Sequence, residues 1–330
     1  MLHGDSLLEI SDLKMYYGTE RGWVKAVDGL FLDVHKNECV GVVGESGCGK
    51  SSLALTIIRV LPSNSKIFSG KILFEGEDLL NLPEEEFRRK VRWKKISMVF
   101  QGAMNALNPM ITVGEQIVET ILAHEDVTRK EAWERAEHLL KLVGIDPKRA
   151  KNYPFEFSGG MKQRVVIAMA LALKPSLLIA DEMTTALDVI AQAQIVNLVS
   201  DLRKSLNLSS IIISHDIPLV FNSSHRVFVM YAGKIVECGP TEEVYYTPMH
   251  PYTFLLLDSV PDVRGKRRSL SFIEGAPPNL LNPPSGCRFH PRCPFAIEKC
   301  RKEEPELKMF SQNHYAACHR IEELELKRRV

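Results

Sequence analysis

The sequence predicts an α/β protein built on a parallel sheet, because short apolar strands alternate with helical stretches and one strand runs into a glycine-rich loop followed by a helix. The strand is residues 39–43 (CVGVV), the loop begins at Gly44, and after Lys50 the segment SSLALTIIRVL has helix-compatible spacing and stops before Pro62. Strands recur at residues 177–180 and 210–214 with the helical stretch 189–206 between them. Apolar strands joined by helical crossovers are the pattern of a parallel sheet buried on both faces.

The other elements follow in order. Residues 7–34 read as alternating strands with a turn at 18–22, and further strands are expected at 71–74 and 96–100. Between Thr112 and Gly144 apolar residues recur at helical intervals with charges between them, which predicts a helical insertion. Another helix is expected to start near Ser158 and run through MKQRVVIAMALAL to the break at Pro175. Residues 226–231 and 234–238 form a strand pair joined tightly by Ala232 and Gly233. Between His250 and Pro294 eight prolines crowd a segment of little periodicity, so a loop-rich appended domain is expected there. No internal repeat is visible.

At 330 residues, 45% hydrophobic and 25% charged, the chain is long enough for one large domain and one smaller one. Lysine and arginine total 42 against 41 acidic residues, leaving a net charge of +1 and no global field for nucleic acid or anionic lipid. The N-terminus, MLHGDSLLEI, has no basic segment followed by an apolar stretch, and no run approaches the roughly 18 to 20 apolar residues of a membrane span. A cytoplasmic protein is expected. Seven cysteines are too few and too unevenly placed for a disulfide scaffold; Cys39, Cys48 and Cys238 are scattered, whereas Cys287, Cys293, Cys300 and Cys318 fall in the last 44 residues.

Residues 44–51, GESGCGKS, fill every required position of a phosphate-binding loop. Gly44, Gly47 and Gly49 let backbone N–H groups turn inward around phosphates, with Glu45, Ser46 and Cys48 between them. The helix that follows, opening with Lys50, Ser51 and Ser52, presents its positive end to the same anion. Lys50 is expected on the β and γ phosphates of ATP and the Ser51 hydroxyl on Mg²⁺. Residues 177–182, LLIADE, deliver two acids at the carboxyl end of a strand, where open α/β sheets bind ligands. Asp181 is the expected Mg²⁺ holder, and Glu182, not needed by the metal, is placed to polarise a water as general base.

Residues 157–164, FSGGMKQR, are similar to the signature segment of ABC-type ATPases. A serine and two glycines at a helix start offer a hydroxyl, unobstructed N–H groups and a dipole to an anion. The resemblance implies that Ser158, Gly159 and Gly160 contact the γ-phosphate of a nucleotide held by the opposite subunit. It further implies that Gln101, ending ISMVFQ, senses Mg²⁺ and couples to a transmembrane partner, that His215 contacts the γ-phosphate, and that Asp188 crosses the dimer interface. Tyr17 resembles the aromatic that stacks on adenine, with Tyr16 as the alternative. Three positions depart from the usual pattern: Met161 where glutamine is common, Met183 where proline is common, and Thr185 in place of serine. None of the three removes a phosphate- or metal-binding group. The fold implied is a RecA-like P-loop NTPase core with an N-terminal antiparallel β subdomain and a helical signature subdomain at about residues 103–165, within a nucleotide-binding domain 1–249.

The tail, residues 250–330, names the branch. HPYTFLLLDSVP, residues 274–278 and GCRFHPRC resemble the C-terminal region of ATP-binding subunits of dipeptide and oligopeptide importers, whose relatives also import nickel and some sugars. Its four cysteines, separated by five, six and seventeen residues, suit a metal that staples a thin core, and lack the paired hooks common in structural zinc sites. Similar subunits carry a [4Fe–4S] cluster at this motif, so Cys287, Cys293, Cys300 and Cys318 are its expected ligands, with Zn²⁺ and His290, His314 or His319 as the alternative. The resemblance also implies partners: a second ATPase subunit, a related but distinct one by family resemblance, two membrane permease subunits and an extracytoplasmic binding protein. A soluble ABC ATPase acting on ribosomes or DNA is the competing class, but it usually has two cassettes in one chain or a long coiled-coil insertion, and neither is visible.

Overall fold

The computed structural model describes residues 6–185, 187–259 and 273–326. In chain order the first strands are β1 (Ser6–Thr19), β2 (Gly22–His35) and β3 (Cys39–Val43), followed by α1 (Lys50–Ile57), β4 (Ser65–Phe74) and β5 (Glu77–Asp78). Next come α2 (Glu84–Lys90), β6 (Ile96–Val99), α3 (Val113–Leu122), α4 (Arg129–Leu142), α5 (Gly159–Ala170), β7 (Leu177–Asp181), α6 (Val189–Leu206) and β8 (Ser209–Ile213). The last part holds α7 (Ile217–Ser223), β9 (Arg226–Tyr231), β10 (Lys234–Pro240), α8 (Thr241–Tyr246), α9 (Pro251–Asp258), α10 (Glu298–Lys302), β11 (Lys308–Ser311) and β12 (His314–Ala316).

The chain forms two compact units, one from segments 1–34, 39–80 and 213–330, the other from 35–38 and 81–212. In the first unit, β1, β2, β4 and β5 make a sheet of order β2-β1-β4-β5 in which β1 and β4 run antiparallel, Leu8 facing Phe74. The strand expected at 71–74 thus begins six residues earlier, at Ser65. A second sheet of this unit pairs β3 with β9 in parallel and β9 with β10 antiparallel. The β9–β10 turn is the tight one expected, because Ala232 (φ 48°) and Gly233 (φ 85°) are both left-handed, as a two-residue turn between twisted strands requires.

The C-terminal tail belongs to this first unit. Its strand β12 pairs with β10, Glu237 facing Ala316, and extends the sheet to β11. The fully buried Glu237 carboxylate accepts the backbone N–H groups of Met249 and His250, each at 2.8 Å, and lies 2.8 Å from His314 Nε2. Tyr231, Tyr252 and Phe289 complete an aromatic core with ring centroids 4.5 to 5.4 Å apart. Such pairs add to the burial of their area.

In the second unit β6 and β7 pair in parallel, Ile96 opposite Leu177, and β8 follows β7 in the strand order. The helical insertion is α3 and α4. Thr128 caps α4 in a reciprocal box with Glu131, and Ala132, Ala136, Leu139 and Leu140 then recur on one buried face. That face packs with Val113, Ile117, Ile121 and Val165 in the unit's core. Helix α5 ends at Ala170, five residues before Pro175, as the chain turns through Lys174 at φ 52°.

Candidate active site

In the first unit β3 delivers the glycine loop to α1, and the backbone explains its composition. Gly44 has φ 153°, and a Cβ there would stand 2.1 Å from the Met230 carbonyl oxygen; at Gly49, φ 111°, it would stand 2.0 Å from that of Ala26. Only glycine fits such approaches. Lys50 is buried, and its ammonium donates to the carbonyls of Gly44 at 2.8 Å and Glu45 at 3.0 Å. The Cys48 thiol, 3.6 Å from that ammonium, is pushed up by burial despite the lysine's opposing charge. Ser51 and Ser52 open α1. The Tyr17 hydroxyl lies 3.1 Å from Ser52 Oγ, whereas Tyr16 donates at 2.6 Å to Asp28 and packs on Phe68. His215 is exposed between Ser214, whose Oγ accepts the Asp216 N–H, and Asp216, which caps α7.

In the second unit the carboxyl end of β7 carries Asp181, buried, and Glu182, half-buried. Gln101 Nε2 donates to Glu182 Oε2 at 2.7 Å, and Thr185 Oγ1 donates to the same oxygen at 3.3 Å. Glu182 sits at φ 47°, a left-handed conformation that is costly for a side-chain residue and concentrated at functional sites. Thr185, one of the three departures, thus holds the proposed base in place. Ser158 caps α5, its Oγ accepting the Met161 N–H at 3.4 Å, with Gly159 and Gly160 in the first turn. Asp188 caps α6 by accepting the Ala191 N–H at 2.8 Å. Ser158, Gly159, Gly160 and Asp188 line one depression, so the two segments expected to face a partner stand together. Met161, a second departure, takes the Arg149 guanidinium against its sulfur at 3.4 Å.

In the tail, Cys287, Cys293, Cys300 and Cys318 line one small cavity with His290 and His319. Burial first, and then the neighbouring thiols, push Cys287 up to about 12 and Cys293 up to about 11; Cys318 is raised as well. Among the described residues no group of three or more His, Cys, Asp or Glu side chains stands in an arrangement that could hold a metal ion. The four cysteines expected as ligands thus line one shared cavity, while a metal centre assembled from them is not shown. His314, named as a zinc alternative, is instead engaged by Glu237.

Sequence reasoning missed two arginines of the tail. Arg288 makes a buried ion pair with Asp28 and donates to the Ala232 carbonyl. Arg292 donates twice to the Glu45 carboxylate, at 2.6 and 2.9 Å. The available signal is their position inside GCRFHPRC, each next to one of the clustered cysteines.

Residues 27–185 match the family model described as ABC transporter, and residues 236–300 match that of the oligopeptide/dipeptide transporter C-terminal region. The chain is 47% identical over 324 residues to a probable peptide ABC transporter ATP-binding protein of Sinorhizobium fredii, covering 97% of this chain and 96% of the relative. It is 45% identical to the oligopeptide transport ATP-binding protein OppD of Escherichia coli, covering 97% and 95%. Among solved structures it is similar to the dimeric ATP-binding cassette MJ0796 bound to ADP and Pi, with TM-score 0.63, 25% identity and coverage of 71% of this chain and 98% of that one. The Clostridium perfringens cassette cbiO1, part of an ABC transporter complex, gives TM-score 0.64 at 29% identity over 73% and 91%. With identity of this level running through cassette and tail alike, the chain belongs to the family of ATP-binding subunits of peptide ABC transporters.

Proposed function

We propose that the chain binds and hydrolyses ATP to power import of dipeptides or oligopeptides. The observation that carries this reading is the near full-length similarity to peptide transport subunits, which includes the tail as well as the cassette. Lys50 and the loop N–H groups would hold the β and γ phosphates, Ser51 and Asp181 the Mg²⁺, which supplies charge neutralisation when bound. Glu182, oriented by Gln101 and Thr185, accepts the proton of the attacking water. His215 would contact the γ-phosphate. Tyr17 is favoured over Tyr16 for the adenine, since its hydroxyl reaches α1 whereas that of Tyr16 is bound to Asp28.

Ser158, Gly159, Gly160 and Asp188 serve the nucleotide of a second ATPase subunit, which we take to be a distinct homologue. Val189 and Ile190, beside Asp188 and about three-quarters exposed, supply an apolar surface for that contact. The exposed, stacked pair Tyr153 and Phe155 offers a second such surface, suited to two permease subunits on the inner membrane face. An extracytoplasmic binding protein would supply the cargo. Cys287, Cys293, Cys300 and Cys318 are the residues that would hold a [4Fe–4S] cluster, or a Zn²⁺, which would cross-link the tail. Reconstitution with its permease and binding protein tests the reading: ATP hydrolysis should rise when peptide-loaded binding protein is added. Recovery of the chain with ribosomes and never with membranes would overturn it.

A further inference from the structure

Every polar group of Glu45, the second residue of the glycine loop, is held. Its backbone N–H donates to the hydroxyl of the fully buried Tyr252 at 2.9 Å. Its carbonyl accepts the Lys50 ammonium at 3.0 Å and the Cys48 N–H at 3.2 Å. Its carboxylate takes both arms of Arg292, whose side chain is only 7% exposed. Two of these three attachments come from the tail.

Arg292 is itself tightly placed. Its guanidinium also donates to the carbonyls of Glu274 at 2.9 Å and Gly275 at 3.1 Å. Successive turns set its backbone: His290 N–H to the Cys287 carbonyl, Arg292 N–H to Phe289, and Cys293 N–H to His290. The loop that carries Cys287 and Cys293 therefore determines where this guanidinium stands. An acidic side chain in a loop that surrounds phosphates would repel a polyanion, and a bidentate arginine both neutralises it and fixes its direction.

We propose that Arg292 is a positioning residue for nucleotide binding, acting through Glu45 to hold the entrance of the glycine loop and, with it, the carbonyl on which Lys50 rests. Tyr252 fixes the same turn from the backbone side. The cysteine-bearing tail is on this account a brace for the ATP site, so that its fold sets the nucleotide affinity of the chain. The proposal rests on the reading that residues 44–51 bind ATP.

The experiment measures equilibrium binding of a fluorescent ATP analogue to the purified full-length chain, with thermal unfolding recorded for each variant. Arg292→Gln should weaken binding about tenfold, the equivalent of one lost charge-assisted hydrogen bond, and Arg292→Lys should fall between it and the wild type. The double variant with Glu45→Gln should bind better than Arg292→Gln alone, because the stranded carboxylate is gone. In the assembled transporter KM for ATP should rise while kcat at saturation changes less than threefold. Glu45→Lys separates positioning from charge, and serves also if Arg292→Gln does not fold: added positive charge alone would tighten binding, whereas loss of the brace weakens it. Binding within twofold of wild type for Arg292→Gln, or tighter for Glu45→Lys, overturns the proposal. Lys50→Ala guards the underlying reading: if it binds the analogue normally, the assignment of the loop fails, whatever Arg292 does.

Discussion

Substituting Arg288 by methionine isolates the energetic value of the tail's other anchor. The guanidinium and the Asp28 carboxylate have side chains 8% and 12% exposed, so solvent screens the pair little. Burial alone would raise the Asp28 carboxyl, but the Tyr16 hydrogen bond and the Arg288 charge together hold it below the usual carboxylate range. Removing the arginine leaves a buried carboxylate with only Tyr16 in contact and Lys234 nearby, and also strips the Ala232 carbonyl of its donor. Breaking one side of a buried pair costs about 3 to 5 kcal/mol, and the surviving Tyr16 bond places this case near about 3. At roughly 2 °C per kcal/mol for a chain of this size, the midpoint should drop by about 6 °C. Urea and thermal unfolding followed by circular dichroism read both quantities. Adding Asp28→Asn should recover roughly half of the loss, because the uncompensated charge is gone. A loss under about 1 kcal/mol, or no recovery in the double variant, would show that the pair is not what holds the tail to β2 and β9.

Other consequences can be measured as simply. Gly49→Ala should abolish retention on immobilised ATP, since its Cβ would meet the Ala26 carbonyl; Gly47→Ala, at φ 79° but facing open space, should cost only about 1 to 2 kcal/mol and keep some binding. Burial drives His250 down to about 3, so the unfolded chain takes up a proton below about pH 6.5 that the folded chain refuses. Its contribution is therefore complete above that pH and is lost as the pH falls toward 3, by up to about 1.4 kcal/mol per unit. Urea unfolding across that range should show this slope, and His250→Asn, which keeps an acceptor for the Tyr252 N–H, should flatten it. Substituting Cys293 and Cys300 by serine should lower the stability of the tail and remove any absorbance near about 400 nm; a colourless wild type containing zinc would replace the cluster assignment with the zinc one.

The cassette was legible because its chemistry imposes local rules. A glycine loop between an apolar strand and a helix, and acids at a strand end, are readable from residues close in sequence, and the strands and helices expected from them are present at 39–43, 189–206 and 226–231. Boundaries set by distant contacts were not legible: β4 extends back to Ser65 only because β1 lies beside it. The tail's prolines and sparse periodicity suggested a separate loop-rich piece and gave no hint that β12 would join β10, since a three-residue strand carries no pattern of its own. The bonds from Gln101 to Glu182 and from Arg292 to Glu45 join residues 81 and 247 positions apart. No spacing rule reaches that far. Ordinary surface composition likewise hid Arg288 and Arg292 among the chain's 42 basic residues.

The central claim is that this chain is an ATPase whose general base is Glu182, and Glu182→Gln tests it most directly. Glutamine is isosteric, can keep the contacts to Gln101 and Thr185, and leaves the backbone turn at φ 47° unchanged. Binding of ATP to the assembled transporter should therefore persist, while turnover at saturating ATP falls by about 10² to 10⁴, the usual worth of a positioned base. A variant that binds ATP and still hydrolyses it at most of the wild-type rate would contradict the account.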